Sequence, residues 1–201
     1  MNTNKHNINK NDPKGNNMLV EIINISELDI TFILNSDDNT FANALRRTLI
    51  SGVPTLAIDN INIKNNTSVI NDEMLAQRIS LIPLKYSTNL EEIGNFELDV
   101  KCPLDTDIMC VNSNAFKYTI DSDNVQLLHD DILLCKLKHG QHIEVEATCK
   151  KGSGKEHCKF SPVSTVTYKK DENKFVFTVE CIGNIDPELL VNNAIDILSN
   201  S

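Results

Sequence analysis

The sequence predicts a mixed α+β chain. Three observations carry that reading: alternating apolar runs toward both ends, short segments with helical apolar spacing and their own caps, and a long β-rich stretch in the middle. Each element follows from its residues, taken in chain order.

Residues 1–17 are rich in Asn and Lys and nearly devoid of large apolar side chains. Burial there cannot repay the entropy of ordering, so a disordered tail is expected, with structure beginning at Met18. Leu19–Ile25 and Leu28–Leu34 read as strands with Ser26-Glu27 between them, which predicts an antiparallel hairpin. Phe41 to Gly52 reads as a helix. Asp38 or Asn39 can cap its start, and Gly52 with Pro54 ends it. Phe41, Ala44, Leu45, Thr48 and Leu49 form one mostly apolar stripe. Arg46 and Arg47 point about 100° apart around the axis, so one can flank the stripe while the other points elsewhere. On spacing alone this is an amphipathic core helix.

Thr55–Lys64 alternates as a strand, and the alternation slips near Asp59-Asn60, which predicts a bulge or a change of face. Asn65-Asn66-Thr67 reads as a turn. Asn71 can cap a second helix, Asp72 to about Ser80, that packs Met74, Leu75, Ile79 and Ile82 into a core before Pro83 stops it. Further strands are expected at Phe96–Lys101, Ile132–Lys138, His142–Lys150, Val163–Tyr168 and Phe175–Cys181, with a turn at Lys138–Gln141. Asp186 caps the last helix and Pro187 takes its first position. Leu189, Leu190, Asn193, Ala194, Ile197 and Leu198 make its apolar-leaning face, while Val191 and Ile195 lie off that stripe. A helix apolar over so wide an arc needs a deep groove or another chain.

Composition narrows the function classes. The 201 residues hold one or two domains. A net charge of −9 and a pI near 5.0 argue against a dedicated nucleic-acid-binding surface, although an acidic chain can sit in a nucleic-acid enzyme whose other subunits make those contacts. No apolar run reaches the roughly 18 residues of a membrane span, and the residues after Met1 lack the apolar core of a secretory signal. Cys102, Cys110, Cys135, Cys149, Cys158 and Cys181 show no C-x-x-C spacing. They read as reduced thiols of a cytosolic or nuclear compartment, with Cys135 and Cys149 acting as small apolar side chains in strands.

No catalytic constellation emerges. His129, His139, His142 and His157 follow no metal spacing, and no nucleophile elbow is present. Asp105 with Asp107, and Asp121 with Asp123, lack the Gly and terminal Glu of a calcium loop and read as turn residues. Gly152-Ser153-Gly154-Lys155 invites a phosphate-loop reading. It fails on spacing, because Cys149 and Glu156 stand where Gly and Ser or Thr are required. The expectation is therefore no catalytic residue, no cofactor and no metal. The dense basic loop (Lys150, Lys151, Lys155, Lys159) can touch nucleic-acid phosphates, dock on an acidic protein surface, or stay solvated.

Four segments in order resemble one family. They are Asn43-Ala44-Leu45-Arg46-Arg47 with Val53-Pro54; Asn65–Glu73 with Ala76–Leu84; Asp130–Leu133 with Lys136–Gln141; and Lys150-Lys151-Gly152-Ser153-Gly154-Lys155-Glu156-His157-Cys158-Lys159-Phe160-Ser161-Pro162. Together they resemble the α-like subunits of multisubunit DNA-directed RNA polymerase, which occur in the bacterial, archaeal and eukaryotic enzymes, the eukaryotic one being the third-largest subunit. The resemblance covers about residues 18–201. Gln77 stands where the family usually has His, Ser80 where it has Gly, Cys158 where it has Ala and Phe160 where it has Trp. The family's cysteine-rich zinc loop is missing from Lys85–Asn95, as are the archaeal iron–sulfur insertion and the acidic linker before the last strand.

The resemblance implies a dimerisation domain of antiparallel strands and helices in two pieces, 18–54 and 171–201, interrupted by a mostly β domain at 55–170. It implies a non-catalytic assembly subunit that pairs with a smaller α-like (eleventh-type) subunit, recruits the second-largest catalytic subunit, and joins small zinc-binding subunits. It makes no specific DNA contact of its own and touches no membrane. Phe41, Ala44, Leu45, Thr48, Leu49, Leu190, Ala194 and Ile197 are the implied heterodimer seam. Arg46, Arg47, Lys151, Gly152, Gly154, Lys155, Glu156 and His157 are the implied large-subunit contact. The Asn-rich, trimmed sequence suggests a viral or divergent unicellular source, placing the chain in a nucleus or in a cytoplasmic viral factory or virion. The alternative is a stand-alone protein-binding module that reuses the fold.

Overall fold

The computed structural model describes residues 7–11, 17–86, 94–118 and 125–200. Asp121, Asp123, most of Lys85–Asn95 and the tail positions 1–6 and 12–16 lie outside the described residues. The chain divides into two compact units, one from residues 1–55 and 152–201, the other from 56–151. The fold is α+β, with mostly antiparallel strands and, among the described residues, three α-helices.

In the first unit, β1 (Asn7–Asn11), β2 (Asn17–Ile25) and β3 (Asp29–Asn35) precede helix α1 (Asn39–Ser51). The second unit runs through β4 (Thr55–Asn66), α2 (Asp72–Ser80), β5 (Leu84–Tyr86), β6 (Asn95–Lys101), β7 (Ile108–Asn112), β8 (Lys117–Tyr118), β9 (Val125–Leu127), β10 (Leu133–Lys138) and β11 (His142–Gly152). The first unit then resumes with β12 (Val163–Asp171), β13 (Lys174–Cys181) and α3 (Pro187–Ser199).

The first unit's sheet is antiparallel, in the order β1-β2-β3-β13-β12. Alternation decides which face is buried: Ile30, Phe32 and Leu34 of β3 and Phe175, Phe177 and Val179 of β13 point into the core. Register places Phe32 opposite Phe177 and Phe177 opposite Tyr168. The first pair stacks at 4.9 Å with planes 2° apart, and the second sits at 5.1 Å. Such cross-strand aromatic pairs add about 0.5–1.5 kcal/mol beyond the area they bury.

Helices α1 and α3 pack on each other and close this core with Ala42, Leu45, Leu49, Leu190, Val191 and Ala194. Asp38 caps α1, its carboxylate accepting from the Thr40 and Phe41 amides at 2.8 and 3.3 Å. Asp186 caps α3 in the same way, accepting from Glu188 and Leu189 at 3.0 and 3.1 Å, and Pro187 opens the helix. Each cap contributes about 1 kcal/mol.

Three expectations about this unit are corrected. Residues 7–11 form an edge strand on β2 instead of a disordered tail, because strand pairing uses backbone groups that even an Asn-rich segment carries. Residues 152–170 belong to the first unit, since β12 pairs along its length with β13, so the second unit ends at 151 and not at 170. The inward face of α3 is centred on Leu190, Val191, Ala194 and Ile195, so Val191 and Ile195, placed off the stripe by spacing, are fully buried. Apolar residues nearly all round a helix leave its phase undetermined by periodicity alone.

The second unit holds a four-stranded sheet, β4-β11-β6-β8, and two two-stranded ones, β10-β7 and β5-β9. Its separate core gathers Ile58, Leu75, Ile79, Phe96, Leu98 and Val145. Arg78 ties α2 to β10, its Nε donating to the Leu134 carbonyl at 2.9 Å and its guanidinium also to that of Leu133. The turn at Lys138–Gln141, with Gly140 at φ +76, links strands of two different sheets. Strand β4 runs through Asn66, past the expected turn. The bend follows at Ser68–Ile70, held by the Asn66 amide, which accepts from Ser68 N at 3.0 Å and donates to Ile70 O and Asp72 Oδ1, both at 2.8 Å. Asn71 takes the N-cap position of α2 but makes no side-chain cap bond, and Met74 points outward at 50% exposure instead of into the core.

Candidate functional site

The most chemically distinctive surface of the first unit is the C-terminal half of α1 with the loop that follows Gly152. Two glycines and two hydroxyls seat that loop. A Cβ on Gly154 would lie 2.8 Å from Ser51 Cα and 2.9 Å from the Ile50 carbonyl, so only glycine lets the loop approach the helix this closely. A Cβ on Gly152 would meet the Phe160 ring at 2.7 Å. Ser161 Oγ donates to the Ile50 carbonyl at 2.9 Å, satisfying one of the acceptors a helix end leaves open. Phe160, buried, anchors the loop's far end, and the Thr55 hydroxyl donates to its carbonyl at 2.7 Å.

Within the loop, Glu156 Oε1 accepts from the Ser153 amide at 3.1 Å, and His157 Nδ1 accepts from the Lys159 amide at 3.1 Å, starting a short 3-10 turn at Cys158–Phe160. Lys159 lies over the Phe160 ring at 5.2 Å. These bonds hold the backbone and leave the lysine at 155 exposed.

The two arginines of α1 have different settings. Arg46 is half-buried and spans to Asn43 Oδ1 of its own helix, with contacts of 3.1 and 3.3 Å. Arg47 is exposed and lines a cleft of about 160 Å³ with Ala44, Thr48, Ser51 and Lys155. Neither Arg47 nor Lys155 forms an ion pair with a carboxylate of the described residues.

The structure thus brings together Arg47, Gly154, Lys155, Ala44 and Thr48 of the sequence-derived residues. Arg46, Glu156 and His157 border the site and are partly committed to internal bonds, while Gly152 is buried and acts on loop shape. Lys151 is exposed at the close of the second unit. Of the expected seam, Leu45, Leu49, Leu190 and Ala194 are 0% exposed and packed in their own core. A helix buries its most apolar positions against its own sheet first. Phe41, Ala44, Thr48 and Ile197 retain exposure. Ser51, Thr55 and Ser161 were not anticipated. Ser161 stands beside Pro162 in the basic motif, and that placement was the available signal.

Among the described residues no group of three His, Cys, Asp or Glu side chains is gathered closely enough to hold a metal ion. Among the described residues no helix is long and apolar enough to cross a membrane. Burial pushes the thiols of Cys149 and Cys181 up to about 12 and that of Cys135 up to about 11, the protonated, unreactive state of core cysteines.

The family described as the RNA polymerase Rpb3/Rpb11 dimerisation domain matches residues 31–201, which takes in the sheet strands from β3 onward, α1, the basic loop and α3. The chain belongs to this family. Its relatives are components of DNA-directed RNA polymerases. The chain is 32% identical to the human subunit RPAC1 of polymerases I and III, over 76% of this chain and 54% of that protein. It is 34% identical to subunit Rpo3 of Methanocaldococcus jannaschii, over 80% of each. It is 35% identical to subunit 3 of polymerases II, IV and V of Arabidopsis thaliana, over 68% of this chain and 52% of that protein. The chain spans about half the length of the eukaryotic relatives it matches. An Rpb3/Rpb11-type domain dimerises, and the matched span takes in both units of this chain, α1 and α3 included.

Proposed function

We propose that this chain is a non-catalytic assembly subunit of a DNA-directed RNA polymerase. It pairs with a smaller α-like, eleventh-type subunit through the exposed parts of α1 and α3 at Phe41 and Ile197, while Ala44 and Thr48 fall to the Arg47 cleft. It then recruits the second-largest catalytic subunit through Arg47 and the loop at Gly152–His157, and joins small zinc-binding subunits. The observation that carries the reading is the seating of the basic loop on the last turn of α1. It gathers two motifs about a hundred residues apart into one exposed cationic surface. A scaffold needs such a surface, whereas an enzyme needs a pocket with convergent polar groups. This work takes place in the nucleus, or in a cytoplasmic factory or virion if the source is a virus.

The test is co-expression with a candidate eleventh-type subunit from the same genome, followed by mass measurement of the purified complex. A stable one-to-one heterodimer that captures the second-largest subunit is the expected result. A well-behaved monomer that ignores both would overturn the proposal.

A further inference from the structure

We propose that the cleft between Arg47 and Lys155 is a carboxylate seat, and that it takes a single Asp or Glu side chain from the protein partner docked on this face. This rests on, and deepens, the large-subunit contact proposed above by stating the chemistry that the partner must present.

The cleft lies within one compact unit. Ala44, Arg47, Thr48 and Ser51 come from α1, and Lys155 arrives because Gly154 lets the loop lie within a Cβ radius of Ser51. Two cations therefore face one small volume, with two hydroxyl-bearing side chains between them and no carboxylate of the described residues paired to either. The two cationic residues of that lining suit an anion: a guanidinium fork matches a carboxylate bidentately, and an ammonium adds a second point charge.

Size and field select among anions. At about 160 Å³ the open cleft is well below the roughly 300–1,000 Å³ of sites that enclose a cofactor or nucleotide, and its size matches a single side chain. A nucleic-acid backbone needs a run of cations along a groove, on a chain whose net charge favours the approach. Here the net charge is −9 and the cleft offers a single pair of cations. A locally cationic cleft on an acidic protein discriminates for one correctly placed acidic residue and against a polyanion.

The experiment is a heteronuclear NMR titration of the whole chain, following the Arg47 Nε–H resonance and, in every protein including Arg47→Lys, the backbone amides of Thr48 and Ser51 that line the cleft. The probes are an oligoglutamate peptide, oligoglutamine and single-stranded oligothymidylate. The expected result is a saturable shift of Arg47 with oligoglutamate and none with oligoglutamine. Affinity should weaken about tenfold in Lys155→Gln and in Arg47→Lys, which keeps charge but loses the fork. The amide spectrum of each variant confirms that the fold is retained. No shift at Arg47 with oligoglutamate, unchanged affinity in Lys155→Gln, or tighter binding of oligothymidylate would each overturn the seat. Capture of the second-largest subunit by the wild-type chain is scored separately. Capture without carboxylate binding removes the seat and leaves the assembly reading; carboxylate binding without capture does the reverse.

Discussion

The Thr55 hydroxyl donates a 2.7 Å hydrogen bond to the Phe160 carbonyl across 105 residues of sequence, and Thr55 is completely buried. The bond joins the end of the α1 connection to the end of the basic loop. Thr55→Val keeps the shape and removes the donor, leaving a buried carbonyl without its partner, at a cost of about 1–3 kcal/mol. Thr55→Ser keeps the bond and should lose less. Urea unfolding midpoints of the three proteins check the order.

Gly154→Ala should loosen the loop. The added methyl would meet Ser51 Cα at 2.8 Å and the Ile50 carbonyl at 2.9 Å, both backbone atoms that cannot swing away. Overpacking of this kind costs about 1–3 kcal/mol, relieved here by the loop lifting off the helix. Tryptic cleavage after Lys155 under native conditions should accelerate in the variant. An unchanged cleavage rate would mean that the loop is not held by this contact.

Arg47→Ala tests recruitment apart from folding. The side chain is exposed, so the change in stability should stay within about 0.5 kcal/mol. The heterodimer should form as before, with weaker capture of the second-largest subunit. Equal capture by variant and wild type in a pull-down would remove Arg47 from the contact.

Thiol chemistry gives a prediction with a sign. Cys110 and Cys158 are exposed, whereas Cys102, Cys135, Cys149 and Cys181 are buried. Native alkylation followed by intact mass should show two fast adducts, with the other four sites reacting only on unfolding. The buried thiols of Cys149 and Cys181 titrate at about 12 and that of Cys135 at about 11, against 9.0 when solvated. Below pH 9.0 both states hold these protons and the thiols add no pH slope. As pH rises from 9.0 toward 12, the unfolded chain releases protons that the native state keeps, so stability falls across that window. Cys149→Ala should make the decline shallower.

Much of this architecture is legible in the residues. Asp186 announces the start of α3, Asp38 or Asn39 that of α1, and Ser26-Glu27 between two alternating runs announces the hairpin, because caps and tight turns are local physics. Three kinds of feature were not legible. Strand β1 pairs through its backbone, to which composition is blind. The phase of α3 depends on which side of an almost wholly apolar helix meets α1 and the sheet, a long-range relation that spacing does not carry. The cleft was half visible. The arginine pair and the lysine-rich loop stand out in the sequence, but their meeting depends on Gly154 and Ser161 fitting the last turn of α1, a long-range relation that spacing does not carry. The same limit explains why Leu45 and Leu190, apolar on helices expected to dimerise, turned out to be core residues.

The pairing of Asn35 with Lys174 and of Phe32 with Phe177 carries a consequence for biosynthesis. On the ribosome, β2, β3 and α1 emerge well before the strand that completes their sheet. At typical elongation rates the interval is on the order of ten seconds. Throughout that wait the faces of Phe32 and Leu45 lack the cover that β13 and α3 supply, while the intervening residues 56–151 gather a core of their own. The nascent N-terminal segment is thus the stage at which chaperones would be recruited, and a translational pause within the middle unit would lengthen its exposure.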